Sequence, residues 1–233
     1  MEIENILRIE SLRPRRVAFA TDMLRTIEDG AEFLKRIMFF DEASLHLSDI
    51  VNRHIVRIWG SENPHEYREG QRDSPEVNVW CERMQDRVTG PFFFTEKTVS
   101  SVVYLDMLAN FVFPQLEELR PRVFLQQDAA PPHRGTIVRS SLNDQFTGRW
   151  IGRGGPIPRP PRSLDITPLD FFLWGFVKDN VYRRRGSNMD DLKARMTTAI
   201  ASVDADMLAG TWREIEYRLD ILRATKGAYV EVH

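Results

Sequence analysis

Asp41 and Asp128 each stand where an apolar run turns polar, in FFDEAS and LQQDAA. A strand leaves a hydrophobic core at such a point. An aspartate there costs free energy to desolvate unless a partner or a cation meets it. A third acid, Asp170, lies three residues after Thr167 in TPLDFFLWGFVKDNVY. Each has a plain structural reading: a turn or cap residue for the two strand-end acids, and a capping-box acid reaching back to Thr167 for Asp170. As a set they are hard anionic oxygen ligands, which suit Mg²⁺ or Mn²⁺ better than zinc. The single cysteine, Cys81, leaves no zinc site of paired cysteines and no internal disulfide, and it fits a reducing, intracellular setting.

Neighbouring residues extend the set. His133, five residues after Asp128, positions a phosphate or a water, or is a helix-start histidine with a structural hydrogen bond. Asp165, in the loop before the last acid, suits a supporting or capping role. Glu42 follows Asp41 on a strand, so it points to the opposite sheet face and is set aside.

The elements that must position these residues follow from periodicity. Leu12 to Lys35 has helical spacing broken at Gly30, and IMFFDEASLHL, from Ile37 to Leu47, suits a strand with one buried side. Further strands are expected at Ile55–Trp59 and Val77–Met84, with a loop between them. Ser100 to Leu119 reads as an amphipathic helix that Pro114 kinks, and Val123–Ala130 as a strand stopped by Pro131-Pro132. Gly135–Phe146 reads as a helix and Arg149–Ile151 as a short strand. Gly152 to Ser163, with three glycines and four prolines, forms neither helix nor central strand. Thr167 as N-cap and Pro168 at the first position start a long buried helix, followed by helices near Met189–Val203 and Ala205–Arg223. The order βββαβαβα predicts an α/β fold, a mixed sheet flanked by helices, with its acids at the ends of two strands and in a late helix.

The chain has 233 residues, 42% hydrophobic and 28% charged, enough for one domain with a sizeable core. No apolar run approaches the roughly 20 residues of a membrane span, and the N-terminus lacks the order of a signal peptide; a soluble protein is expected, with no membrane partner. The net charge of −2 hides a basic stretch: Arg134, Arg139, Arg149, Arg153, Arg159 and Arg162 stand against one acid, Asp144. Such a segment either tracks phosphates or is a solvated proline-rich loop. Trp59, Trp80, Phe92–Phe94, Phe171, Phe172 and Trp174 read as core in preference to base-stacking platforms.

The blocks FFDEASLHLS, VNRHIVRIWGSENPHE, VNVWCERMQDRVTGPFFF, QQDAAPPH and SLDITPLDFFLWGFVKD resemble, in order, those of mariner-superfamily DNA transposases, from about Arg13 to the C-terminus. The resemblance implies an RNase H-like catalytic domain at residues 37–233, a helical connector remnant at 1–36 and a helical C-terminal tail. It implies that Asp41, Asp128 and Asp170 hold two Mg²⁺ or Mn²⁺ ions that cleave and join DNA strands, Asp41 bridging the pair and each of the others completing one site. Asn52, Arg53, His54 and Arg57 fall in a family-like block and, with Arg149, Arg153, Arg159 and Arg162, are candidate phosphate contacts. DNA as partner, a homodimer and a nuclear location follow from the same resemblance.

Relatives usually carry a paired helix-turn-helix region before this domain, for which the 233 residues leave no room. They also tend to have glycine where Ala129 stands and proline where Leu164 stands; a positive φ at Ala129 would strain the site. Two function classes follow: a metal-dependent DNA nuclease and strand transferase, or an inactive, domesticated or decaying fragment that binds nucleic acid or a protein partner. An RNase H-like nuclease of RNA–DNA hybrids shares the metal logic but explains QQDAAPPH and DFFLWG less well.

Overall fold

Alternation in IMFF sends Ile37 and Phe39 to one side of a strand and Met38 and Phe40 to the other. All four are buried, so this strand must be covered on both faces. The computed structural model describes residues 11–47, 75–184 and 186–230. The strand, β1 (Ile37–His46), lies inside a six-stranded sheet with β2 (Glu76–Arg83), β3 (Val88–Phe93), β4 (Phe124–Gln126), β5 (Trp150–Gly152) and β6 (Ile157–Pro158), in the order β3-β2-β1-β4-β5-β6. β1 runs antiparallel to β2, and β2 to β3, while β1, β4, β5 and β6 are mutually parallel.

Helices cover both faces. On the Phe39 side, α1 (Arg13–Asp29), α4 (Trp174–Val181), α5 (Met189–Ala201) and α6 (Ala205–Ala224) enclose a core that includes Phe19, Leu173, Val177, Trp212 and Leu219. On the Phe40 side, α2 (Ser101–Met107) and α3 (Thr136–Gln145) cover Met38, Phe40, Trp80, Leu125 and Trp150. Among the described residues no helix is long and apolar enough to cross a membrane.

Several expectations are corrected in detail. The Ser100–Leu119 helix is not kinked simply at Pro114: α2 passes into a wide π-turn at Leu108–Val112, then a last turn at Phe113–Gln115. Val88–Phe93 is a strand despite Gly90 and Pro91. Within the proline-rich stretch, Ile157 and Pro158 add a two-residue strand; both strands carry proline at the sheet edges, where a missing N–H breaks no ladder. The expected strand Ile55–Trp59 and the polar stretch after it lie outside the described residues, as do Asn52, Arg53, His54 and Arg57.

Thr167 does not cap its helix with its side chain. Its hydroxyl receives Arg159 Nη2 at 2.5 Å and donates to the Ser163 carbonyl at 3.3 Å. The helix instead opens with a second π-turn, Leu169–Leu173, preceded by Pro168. Asp170 sits in that widened turn and forms no capping box.

Candidate metal centre

Register brings the first two acids level. Phe39 pairs with Gln126 across the parallel β1–β4 ladder, and Asp41 and Asp128 each lie two residues further along their chains. Asp41 is midway along the ten-residue β1 and Asp128 follows the end of β4, so both stand just beyond the last β1–β4 pair, on the side of the parallel ladder where α/β sheets place their ligands. Asp41 is 6% exposed, and its Oδ2 accepts the Trp174 indole N–H at 2.8 Å. Trp174 is four residues after Asp170, so one helical face carries both.

Asp170 completes the group from the α4 side, and its Oδ2 is buried without a partner among the described residues. Burial first, then repulsion from Asp170, Glu42 and Asp128, holds the Asp41 carboxyl well above the usual aspartate range. Burial likewise pushes Asp170 up to about 7, against the opposing pull of Arg159 and a hydrogen bond with Asp41. Asp128 differs. Burial would raise it, but a hydrogen bond to His133, the charge of that ring and the Ala130 N–H bring it below its ordinary value. His133, buried at 2% exposure, is raised to about 10: burial opposes the charged ring, and Glu42 and Asp128 on its two sides outweigh burial.

Two carboxyls that resist ionising beside a third that is anionic make a pocket short of positive charge. A divalent cation would satisfy the orphaned Asp170 oxygen and relieve the repulsion with Asp41. The three aspartates thus fit Mg²⁺ or Mn²⁺ as a donor set. Among the described residues no three His, Cys, Asp or Glu side chains converge on one ion; the arrangement expected from the sequence needs only pairs, Asp41 with Asp128 and Asp41 with Asp170.

The remaining candidates separate clearly. Asp165 is not in the cleft group. Its carboxylate takes a bidentate pair from the buried Arg16, at 2.9 and 2.5 Å, and the Val230 N–H at 2.9 Å, while its carbonyl accepts Arg218 Nη1 at 2.8 Å. It ties α1, α6 and the C-terminal segment together. Arg159 is buried, bonded to Ser163 and Thr167; it faces the acids electrically and is not a surface contact. Arg149 precedes β5, at the opposite sheet end from Asp128, and donates to the Arg120 carbonyl at 3.2 Å. Arg153 and Arg162 are exposed and line a groove of about 1190 Å³ between α1 and the proline-rich segment, with Ala129 also on its wall.

Ala129 is not among the described non-glycine residues with positive φ, which are Arg162 and Lys226; the alanine imposes no left-handed strain. Leu164 is 52% exposed at the start of a short 3₁₀ turn, Leu164–Ile166. Sequence reasoning missed Trp174 as a partner of Asp41, though its spacing from Asp170 was a usable signal. It also missed Glu42, which does leave from the opposite face yet reaches the group through His133.

Comparison of this geometry with solved structures identifies the architecture. The fold is that of the Mos1 mariner transposase catalytic domain. The crystal structure of that domain superposes with a TM-score of 0.73 at 21% identity, covering 95% of this chain and 97% of the other. The Mos1 paired-end complex with left transposon end gives 0.76 at 22% identity, and the Mos1 mariner paired-end complex with Mn gives 0.75 at 22%, each covering 95% of this chain. This chain spans 64% of the Mos1 chain in the first of those complexes. No family model matches the sequence, and no curated protein does. The RNase H-like mixed sheet expected from the sequence is the observed one.

Proposed function

We propose that the chain is the catalytic domain of a mariner-superfamily transposase, a divalent-metal-dependent DNA endonuclease and strand transferase. One observation carries this reading: in a Mos1-like fold Asp41, Asp128 and Asp170 lie close enough to act on one another electrically, burial holds Asp41 and Asp170 against ionisation, and one oxygen of Asp170 is left without a partner. Support for the cation comes from the donor set and from Mos1 itself, whose structures include complexes with Mn and with Mg.

In this reading Asp41, Asp128 and Asp170 would hold the divalent ions, Asp41 being shared by the two. When bound, the pair supplies charge neutralisation at the phosphate and activation of a water or 3′-hydroxyl. The chain's own residues do the rest. Trp174 orients Asp41 through Oδ2. Arg159 offsets part of the charge of Asp128 and Asp170 while fixing the Ser163–Thr167 turn that leads to Asp170. Arg153 and Arg162, exposed on the groove beside Ala129, contact the DNA backbone. A homodimer and a nuclear location belong to the same proposal, since both follow from the transposase reading.

Nicking of supercoiled DNA in Mg²⁺ or Mn²⁺ tests it, run beside Asp128→Ala. The expected result is metal-dependent nicking that is lost in the variant. Folded protein that nicks with neither ion would move the chain to a binding role without chemistry, and equal nicking by Asp128→Ala would remove Asp128 from the site.

A further inference from the structure

The two carboxylate oxygens of Asp128 keep different company. Oδ1 accepts the Ala130 N–H at 2.8 Å and lies 2.6 Å from His133 Nδ1. The other ring nitrogen, Nε2, is 3.0 Å from Glu42 Oε2 and 3.2 Å from Oε1. Both faces of the imidazole edge are thereby spent on carboxylates. The ring is also enclosed, with its side chain 1% exposed. It packs at a tilt against Tyr104, with ring centroids 4.3 Å apart; the Tyr104 hydroxyl donates to Gln127 Oε1 at 3.1 Å, and Gln127 Nε2 reaches back to the His133 carbonyl. Each ring nitrogen thus faces a carboxylate oxygen, and the ring itself is closed off from solvent.

We infer that Glu42 and His133 form a positioning relay, Glu42–His133–Asp128, that decides which oxygen of Asp128 is left for a cation. The inference rests on the metal-site reading above. An aspartate carboxylate turns about a broad, two-fold torsion, so nothing in its own rotamer distinguishes Oδ1 from Oδ2. Here Oδ1 is taken by the Ala130 N–H and His133, and Oδ2 is the atom that remains for a cation. His133 can hold that position only if it is itself held, and Glu42 supplies the second anchor from the Phe40 side of the sheet. Strand alternation makes this possible: Asp41 leaves β1 toward α4 and serves the site directly, while its neighbour leaves toward α2 and serves the other strand's acid through the ring. His133 and Glu42 are positioning residues, and neither touches the reacting phosphate.

The test uses the full chain and Mn²⁺ alone as the probe, with free ion counted by electron paramagnetic resonance. The variants are Glu42→Gln, His133→Gln and Asp128→Asn, with thermal unfolding recorded for each. Loss of such an outer partner typically weakens metal binding 10–100-fold. Glu42→Gln is expected to weaken Mn²⁺ binding by about that factor and to lower kcat for nicking in step, leaving KM for DNA unchanged and the chain folded, because Glu42 is partly exposed and glutamine keeps its shape. His133→Gln should do the same or worse, and Asp128→Asn worse still. If His133→Gln fails to fold, Glu42→Gln decides alone. Mn²⁺ affinity in Glu42→Gln equal to that of the unaltered chain would overturn the relay while leaving the metal site standing. Absence of Mn²⁺ binding in the unaltered chain would instead overturn the metal site, and the relay with it.

Discussion

Asp165 and Asp170 lie five residues apart, both close to the body of the protein, and they are treated oppositely. Asp165 is fully met: two nitrogens of Arg16 and the Val230 N–H satisfy its oxygens. Asp170 has an oxygen buried without a partner and stands among like charges. A buried carboxylate with complementary donors is a fastener. One left short of them, beside two others, marks a place where the fold accepts a cost for something it binds. Between these two acids, partner count, more than burial or position in the chain, marks the structural one.

The comparison can be broken most decisively at the cleft. Asp170→Asn should abolish nicking, by at least about a hundredfold on the scale of removing a group that stabilises developing charge, while leaving the thermal midpoint unchanged or higher, since it removes repulsion with Asp41. Loss of folding in this variant would contradict the assignment. Asp165→Ala should behave in reverse: it strands the buried Arg16 guanidinium and should cost about 3–5 kcal/mol of stability in denaturant unfolding, with the metal affinity of the surviving folded protein intact.

A third buried acid sharpens the rule. Burial pushes Glu82, on β2, up to about 7 from 4.5, outweighing smaller pulls from Thr89 and Arg87. Its folded-state value is raised, so the stability it contributes is fully present below about pH 4.5 and is lost as pH rises through 7. Glu82→Gln should therefore unfold later than the unaltered chain at pH 8, by about 3 kcal/mol, and with no advantage near pH 4. An advantage independent of pH would show that charge is not the cause. The smallest effect is expected on the groove. Arg153→Ala or Arg162→Ala should weaken DNA binding a few-fold and flatten its salt dependence by about one phosphate contact each, whereas Arg149→Ala, at the far sheet end, should leave the salt slope alone.

How much of this was legible in the sequence depends on which physical signal each feature leaves. β1 and β4 were readable as strands from their apolar runs; the acid marks the exit from the core for β4, whereas β1 continues past Asp41 to His46 with Leu45 buried. The edge strands β3 and β6 were not: no strand was expected at Val88–Phe93, Pro158 lay in a stretch read as loop, and only the finished sheet shows that Pro91 and Pro158 lie on edge strands, where a missing N–H costs nothing. Both π-turns escaped a reading based on a 3.6-residue period, and one of them carries Asp170, in keeping with the frequent placement of such turns at functional sites. Alternation sent Glu42 to the far face correctly. It could not show that the turn after β4 brings His133 across the strand ends to meet it, since that contact joins residues 91 apart. Four arginines of the basic stretch share one charge and meet three fates: Arg159 is buried, Arg149 is bonded at the opposite sheet end, and Arg153 and Arg162 are exposed on the groove. Net charge along a sequence carries none of that information.

The most direct test of the central claim is a crystal of the full chain grown with Mn²⁺ and examined by anomalous scattering. The account predicts metal density between Asp41 and Asp128 and between Asp41 and Asp170, with Asp128 ligating through Oδ2 and with Asp165 still bound to Arg16. Saturating Mn²⁺ that leaves no density at these carboxylates would contradict it.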